Sequence, residues 1–420
     1  MLLKKFLIII LILLLGGVGY LVITDESITS IITGSKNNDM PSSESGFIEG
    51  WNGVNYGYSG YLISDKELSP CEKHIVESWA QLSDSIDISS YKISVDGFAD
   101  MYYGLLYENP EYYYVESSFE YGFTDEYVEK IVPSYSVTDK ETIKKETGAI
   151  YKSASLILNE VTDEMSDFQK VMTVHDYMVL NYRYDSTMAN HNLTIMTTKT
   201  GVCDSYSKAF KFVMDLVGIE CKIIESDEMQ HSWNLVKVDG EWYHIDLTMD
   251  DPTEDKYAQV SHEFALLSTD AINNSQMPHY GYDLGDLKAD STKYDTAPWR
   301  NSTGSIVSIS QVTYWISGNS VESSDGKIIY SDLDGGDGFW NMTASAGYTN
   351  SCMAGLGVYN GKLYFNSDTK IKSYNPEMDT VEDFSDVSGL CGLFINDGVM
   401  YYGNSPSSGK FQYAGEISLK

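Results

Sequence analysis

The chain has 420 residues, a formal net charge of −33 and an isoelectric point near 4.4. That balance argues against nucleic-acid binding, which depends on Lys and Arg meeting phosphates. With 42% apolar residues, 33 Tyr and only 9 Pro, the composition excludes a disordered chain and fits two or three aromatic-rich domains.

Lys4 and Lys5 precede an uncharged apolar run, Phe6–Ile23. As a helix it would span about 27 Å, near the thickness of a bilayer core. The preceding positive charge puts the N-terminus inside and the body outside. Residues 1–23 therefore read as a single-pass signal anchor that contacts the membrane through residues 6–23, with an extracytoplasmic body. A cleaved signal peptide, giving a secreted protein, is the alternative. Residues 24–46 are polar and rich in Ser, Asn and Gly, and read as a flexible linker.

Residues 47–297 read as one α+β region. Ser69-Pro70-Cys71-Glu72 has the spacing of a capping box with Pro in the first turn, and a helix through about Leu82 follows. Cys71, Ile75, Trp79 and Leu82 fall on its inner face. Glu108-Asn109-Pro110 ends a second helical stretch. Tyr112–Val115 and Tyr127–Val137 are strand-like, and Thr138 or Asp139 opens a long helix to about Val161. Ser166 caps a further helix whose inner face carries Phe168, Val171, Met172, His175, Met178, Val179 and Tyr182. A buried helix histidine is the favoured reading of His175 over a catalytic one.

The chemistry concentrates in Gly201–Pro252. After Cys203, apolar residues recur at Tyr206, Ala209, Phe210, Val213, Leu216 and Val217, one face of a 3.6-period helix that Gly218 stops. Cys203 thus stands at a helix N-terminus, where unpaired amides and the dipole favour a thiolate and can hold an oxyanion. Ser232–Val238 and Trp242–Thr248 are strand-like runs around the hairpin signal Asp239-Gly240. A two-residue turn pairs Val238 with Glu241, which sets Trp233 opposite Asp246 and His231 opposite Thr248. By strand alternation His231 and Asp246 then share a face as diagonal neighbours. A carboxylate beside an imidazole fixes its tautomer and steadies its cation.

These pieces, G-V-C-D-S-Y-S-K-A-F, H-S-W-N and D-G-E-W-Y-H-I-D-L-T, resemble the transglutaminase-like superfamily, the papain-like enzymes with a Cys, His, Asp triad. The resemblance implies a papain-like core at about 165–270, with Cys203 as nucleophile, His231 as general base and then acid, and Asp246 as orienter. It also implies a thioester formed from an amide or peptide carbonyl, then passed to water or to an amine, with no cofactor and no metal. Many bacterial members have Gly two residues after the cysteine; here Ser205 stands there, after Asp204. An acid so placed would oppose a thiolate if its charge pointed inward. Tyr184, just after the Phe168–Tyr182 helix, is a candidate to assist the oxyanion. Zinc on Cys203, His231 and Asp246 is disfavoured, because no close ligand pair such as C-x-x-C is present.

Residues 253–297 offer no clear chemistry, although 262–267 could close the catalytic domain as a strand or short helix. From 298 to 420 the pattern is short strands and turns. Asp325-Gly326, Asn360-Gly361 and Asp397-Gly398 each precede an aromatic-rich strand, at spacings of 35 and 37 residues. This reads as an all-β repeat module, propeller-like or a sandwich. Of five cysteines, Cys71 and Cys221 read as core, and Cys352 and Cys391 could pair. The expectation is an enzyme acting on a protein or peptide at the cell envelope. The alternative is a non-catalytic surface scaffold whose repeats bind a wall polymer or a partner protein.

Overall fold

The computed structural model describes residues 19–23 and 68–420, apart from 125, 188–190, 252–256, 334–353, 368–369, 388–389 and 405–411. Most of the expected anchor, the 24–46 linker and the Cys352–Cys391 pairing lie outside the described residues. The last five anchor residues, Gly19–Ile23 (β1), form a strand paired antiparallel with residues 119–123 instead of continuing a helix. Pairing on a sheet satisfies backbone groups that a bilayer helix would satisfy internally. Among the described residues no helix is long and apolar enough to cross a membrane.

The chain divides into two units, residues 1–152 with 192–194, and residues 153–191 with 195–420. In the first, α1 (Pro70–Ala80) has the expected reciprocal cap between Ser69 and Glu72. It is followed by β2 (Ile86–Asp87), β3 (Ile93–Ser94) and α2 (Phe98–Glu108). Tyr112 to Tyr114 form a turn, not the expected strand; the strand is β4 (Val115–Thr124), hairpinned onto β5 (Tyr127–Tyr135). Trp79, Phe98, Tyr102 and Phe119 are buried together. Such rings supply most of the apolar burial available to a small core. Asp139 caps α3 (Lys140–Leu158) through the Thr142 amide at 2.8 Å.

The second unit holds α4 (Asp167–Asn181), capped by Ser166 with Gln169 returning to the cap backbone. Next come β6 (Arg183–Tyr184), α5 (Ile195–Thr198) and β7 (Thr200–Gly201), with β6 and β7 paired in parallel. α6 (Cys203–Leu216) then packs on a three-stranded sheet of β8 (Cys221–Ser226), β9 (His231–Val238) and β10 (Glu241–Ile245), in the order 10-9-8. Asp239 and Gly240 both have positive φ, 54° and 86°, as a two-residue hairpin turn requires. The register follows: Glu241 pairs with Val238 and Ile245 with Asn234. β10 stops at Ile245, short of the expected Thr248, because Asp246 turns the chain into α7 (Leu247–Asp250). Residues 262–267 form neither a strand nor a helix; Leu267 bridges His244 on the open edge of β10. α8 (Thr269–Asn273) follows.

The repeat module is three antiparallel meanders. They are β11 (Val307–Ile309), β12 (Val312–Ser317), β13 (Ser320–Ser323) and β14 (Ile328–Tyr330); β15 (Leu356–Tyr359), β16 (Lys362–Asn366), β17 (Ile371–Asn375) and β18 (Thr380–Ser385); and β19 (Leu390–Asn396), β20 (Val399–Asn404) and β21 (Gln412–Ser418). Their first strands neighbour one another, β11 with β15 and β15 with β19, the arrangement of adjacent propeller blades. The blades approach closely: a Cβ on Gly355 would lie 2.1 Å from the Leu393 backbone. The repeat phase differs from the sequence reading. Asn360-Gly361 and Asp397-Gly398 form the first turns of the second and third meanders, whereas Asp325-Gly326 lies in the last turn of the first. The matching position in the first meander is Ser310, at φ 53°, where no Asn-Gly or Asp-Gly marks it.

Both ends of the blade row are tied to α4. Gln169 Nε2 donates to Ser310 O at 3.1 Å, and Asn396 Nδ2 donates to Asn181 Oδ1 at 2.9 Å. Three meanders need not close on themselves when one helix bridges the first to the last.

Candidate active site

Cys203 is the first residue of α6 and is partly exposed. The turn that presents it is locked by Ser205, whose buried Oγ accepts from Val202 N at 2.9 Å and donates to Val202 O at 2.7 Å. Here the residue found where a glycine was expected serves as a strut. Gly201 must be small for the same reason: a Cβ there would stand 2.2 Å from Ser205 Oγ and 2.9 Å from Ile195 Cδ1. Ser205 cannot swing aside without losing both bonds to Val202. Gly201→Ala is expected to cost about 1–3 kcal/mol through this overlap, read as a lowered urea midpoint. An unchanged midpoint would show that the turn gives way freely.

Asp204 carries the charge that could have quenched a neighbouring thiolate. Its Oδ2 instead lies 2.9 Å from Lys208 Nζ, one helical turn on, with His191 at 3.7 Å. The acid beside Cys203 is therefore paired with a cation at i+4.

The Cys203 helix and the His231 strand are stitched together by small polar side chains. Ser207 Oγ donates to Cys203 O at 2.9 Å and lies 3.3 Å from Ser232 Oγ, while buried Asn234 donates to Ser207 O at 3.1 Å. His231 opens β9. Its Nε2 lies 2.6 Å from Asp246 Oδ2, and Cys203 is close enough to act on its charge. With Nε2 committed to Asp246, Nδ1 is the nitrogen left for the thiol. Burial alone would depress the His231 pKa, but the Asp246 charge, the hydrogen bond to Asp246 and the nearby Cys203 outweigh it and push it up to about 10.

Asp246 is fully buried, which alone would raise its pKa, yet the His231 charge and the hydrogen bonds from His231 and His279 hold its carboxyl well below the usual range. Oδ1 accepts from the amides of Thr248 and Met249, at 3.0 and 3.2 Å, and so caps α7. Oδ2 faces two imidazoles, His231 and His279, the second at 2.9 Å. His279 comes from the segment after α8, where the sequence offered no chemistry. Trp233 lies face to face with His231, with centroids 5.8 Å apart, and edge-on to His279. Its Nε1 donates to His244 Nδ1 at 2.9 Å. With Nδ1 accepting and its ring buried, His244 is held neutral, its pKa lowered to about 3 by burial and by the charge on His279.

Tyr184 is brought level with the cysteine turn by pairing with Gly201 in the β6–β7 ladder. Its hydroxyl pKa is raised by burial and then by the charges of Cys203 and Asp246, which puts it in their field.

His175 lies elsewhere, in a second buried network. Its Nδ1 is 2.8 Å from Asp176 Oδ1 and its Nε2 is 3.1 Å from Asp250 Oδ2. His262 joins through Nε2 to Asp176 Oδ1 at 2.9 Å and through Nδ1 to Ser302 O at 3.0 Å. Asp176 Oδ2 accepts from Ile306 N at 2.6 Å, and Asp250 Oδ1 from Ser261 Oγ and Phe264 N. This network bears on the site through α7: Asp250 N donates to Asp246 O, and Asp246 N to Phe264 O. Two groups, His175 with Asp176 and His262, and His231 with Asp246 and His279, bring ligand-type atoms within 4.8 Å of one another. Every one of those atoms is already hydrogen-bonded within its group, so both are read as hydrogen-bonded networks rather than metal ligands.

Residues 156–247, which include Cys203, His231 and Asp246, match the family model of the transglutaminase-like superfamily. Among curated proteins, kyphoscoliosis peptidase of Mus musculus is 23% identical over 145 residues, 27% of this chain and 22% of its own length. The Homo sapiens protein of that name is 22% identical over 142 residues, 28% of this chain and again 22% of its own. The chain therefore spans about a fifth of the curated relatives it matches. A crystal structure of a TGase aligns at 15% identity over 32% of this chain and 43% of that one, with a TM-score of 0.23. The family match identifies residues 156–247 as a domain of the transglutaminase-like superfamily.

Proposed function

We propose that this chain is a thiol acyl hydrolase or acyltransferase acting on protein or peptide amides. Cys203 Sγ attacks the carbonyl carbon while His231 Nδ1 takes the thiol proton. The developing oxyanion meets the unpaired amides of the α6 first turn, with Tyr184 beside it. The C–N bond then breaks, the amine leaves with the proton from His231, and a thioester remains on Cys203. Water or an amine attacks that thioester, again with His231 as base, and releases the acyl group as an acid or a new amide. The relatives named peptidases favour water as the acceptor. Lys4, Lys5 and the apolar run after them favour export of the body from the cytoplasm, with envelope proteins as the substrates.

One observation carries the reading: a buried carboxylate 2.6 Å from His231 Nε2, with the same imidazole in the electrostatic field of the cysteine that starts α6. The test is alkylation of Cys203 by iodoacetamide near neutral pH. The wild type is expected to label at least about tenfold faster than His231→Ala, because a neighbouring imidazolium favours the nucleophilic thiolate. Equal rates would leave a scaffold with no activated thiol.

A further inference from the structure

The site contains a buried group bonded to Asp246 that the acyl-transfer scheme does not use. His279 is 1% exposed, and both its ring nitrogens face acceptors: Nε2 lies 2.9 Å from Asp246 Oδ2 and Nδ1 lies 3.0 Å from Met277 O. The ring is held on its other sides by Trp233, edge-on at 4.7 Å between centroids, and by Phe264 at 5.8 Å. His231 is 5.7 Å away, and His244 sits at the Nε1 edge of Trp233. Trp233 is itself fixed through His244, whose Nε2 reaches Thr269 Oγ1 at 3.1 Å. The titratable groups around His279 are therefore Asp246, His231 and His244.

The two carboxylate oxygens of Asp246 are held differently. Oδ1 is pinned by two backbone amides of its own helix cap. Oδ2 has only side-chain partners, and one of them, His231, must exchange its proton during turnover. A carboxylate anchored at one oxygen can still pivot with its imidazole. A second donor that takes no part in proton transfer removes that freedom.

We propose that His279 is a positioning residue of the site: its Nε2–H fixes Oδ2 of Asp246 so that the carboxylate stays aimed at His231 while the His231 proton moves. This rests on the acyl-transfer reading above. Loss of the N–H would leave a buried lone pair on Oδ2 unsatisfied and let the carboxylate turn away.

The experiment compares wild type, His279→Gln, His279→Leu and His231→Ala by iodoacetamide labelling of Cys203 across pH. Gln keeps an N–H donor; Leu fills space without one. The Leu variant is expected to label about tenfold more slowly near neutral pH and to converge on wild type above about pH 9, where an ordinary thiol ionises unaided. The Gln variant is expected to stay within about threefold of wild type throughout, as a retained charge-assisted hydrogen bond would allow. Leu labelling at the wild-type rate, or Gln falling as far as Leu, overturns the proposal. Wild type no faster than His231→Ala overturns the acyl-transfer reading instead, so the two failures are distinct. A second measurement needs no variant that might misfold. In native protein labelled with 15N-histidine, a slowly exchanging His279 Nε2–H resonance is expected, and its absence overturns the proposal.

Discussion

Under the acyl-transfer reading proposed above, Asp246→Asn is expected to slow turnover by about 10³–10⁴-fold, the scale seen when a triad carboxylate becomes an amide. The reason is a count of donors. Asp246 accepts from four: Thr248 N, Met249 N, His231 Nε2 and His279 Nε2. An asparagine that keeps its oxygen on the helix cap turns its NH2 toward the two imidazoles. His231 Nε2 must then accept, which moves the ring proton to Nδ1, the nitrogen facing Cys203. A protonated Nδ1 cannot take the thiol proton. The flipped amide is no better, because its NH2 would oppose the two cap amides of α7. Cys203 labelling should fall with turnover, because the imidazolium loses the charge that steadies it. The far-UV spectrum should stay unchanged, since Leu247–Asp250 is a single turn. Labelling at the wild-type rate near neutral pH would remove Asp246 from the mechanism.

How far the sequence revealed this arrangement depended on how local each signal was. The Asp239-Gly240 turn fixed the hairpin register as far as Ile245 opposite Asn234, and Asp246, the next residue, reaches His231 from the cap of α7. The Ser69 and Ser166 caps were readable because capping is settled within four residues. The end of β10 was misjudged because Asp246 caps a helix turn with the same side chain that serves His231, and strand propensity is blind to that competition. The pairing of Asp204 with Lys208 has helical i,i+4 spacing and was within reach of the sequence. His279 was not: it lies 33 residues beyond Asp246, outside any regular element, so no periodicity points to it. The His175 network draws on α4, α7 and the stretch from Ser261 to Ile306, and only tertiary folding assembles it. The blade repeat was legible as strands and turns but misphased, because Ser310 takes the left-handed turn position without the Asn-Gly or Asp-Gly that marks the other two.

His175→Leu is expected to destabilise the protein by about 3–5 kcal/mol, the cost of removing one partner from a buried ion pair. His175 is wholly buried between Asp176 and Asp250. Leucine fills the space but leaves two carboxylates facing an apolar group. The loss should vary with pH in a definite direction. Burial would depress the His175 pKa, but its bonds to Asp176 and Asp250 prevail and push it up to about 9, from an ordinary value of 6.5. A histidine raised on folding stabilises fully below its unfolded pKa, and that stability is lost as pH climbs through the folded one. At 1.36 kcal/mol per pH unit for one proton, the window from about 6.5 to about 9 carries about 3 kcal/mol. His231, raised to about 10, adds to the alkaline loss in both proteins and cancels in their difference. His244, lowered to about 3, loses its contribution only as pH falls below about 6.5 and stays out of the window. Urea unfolding of wild type and variant should therefore show a gap that is widest near pH 6.5 and shrinks toward pH 9. A gap constant across that range would mean that His175 is neutral in the folded protein, and that the network behind Asp246 is held by packing rather than by charge.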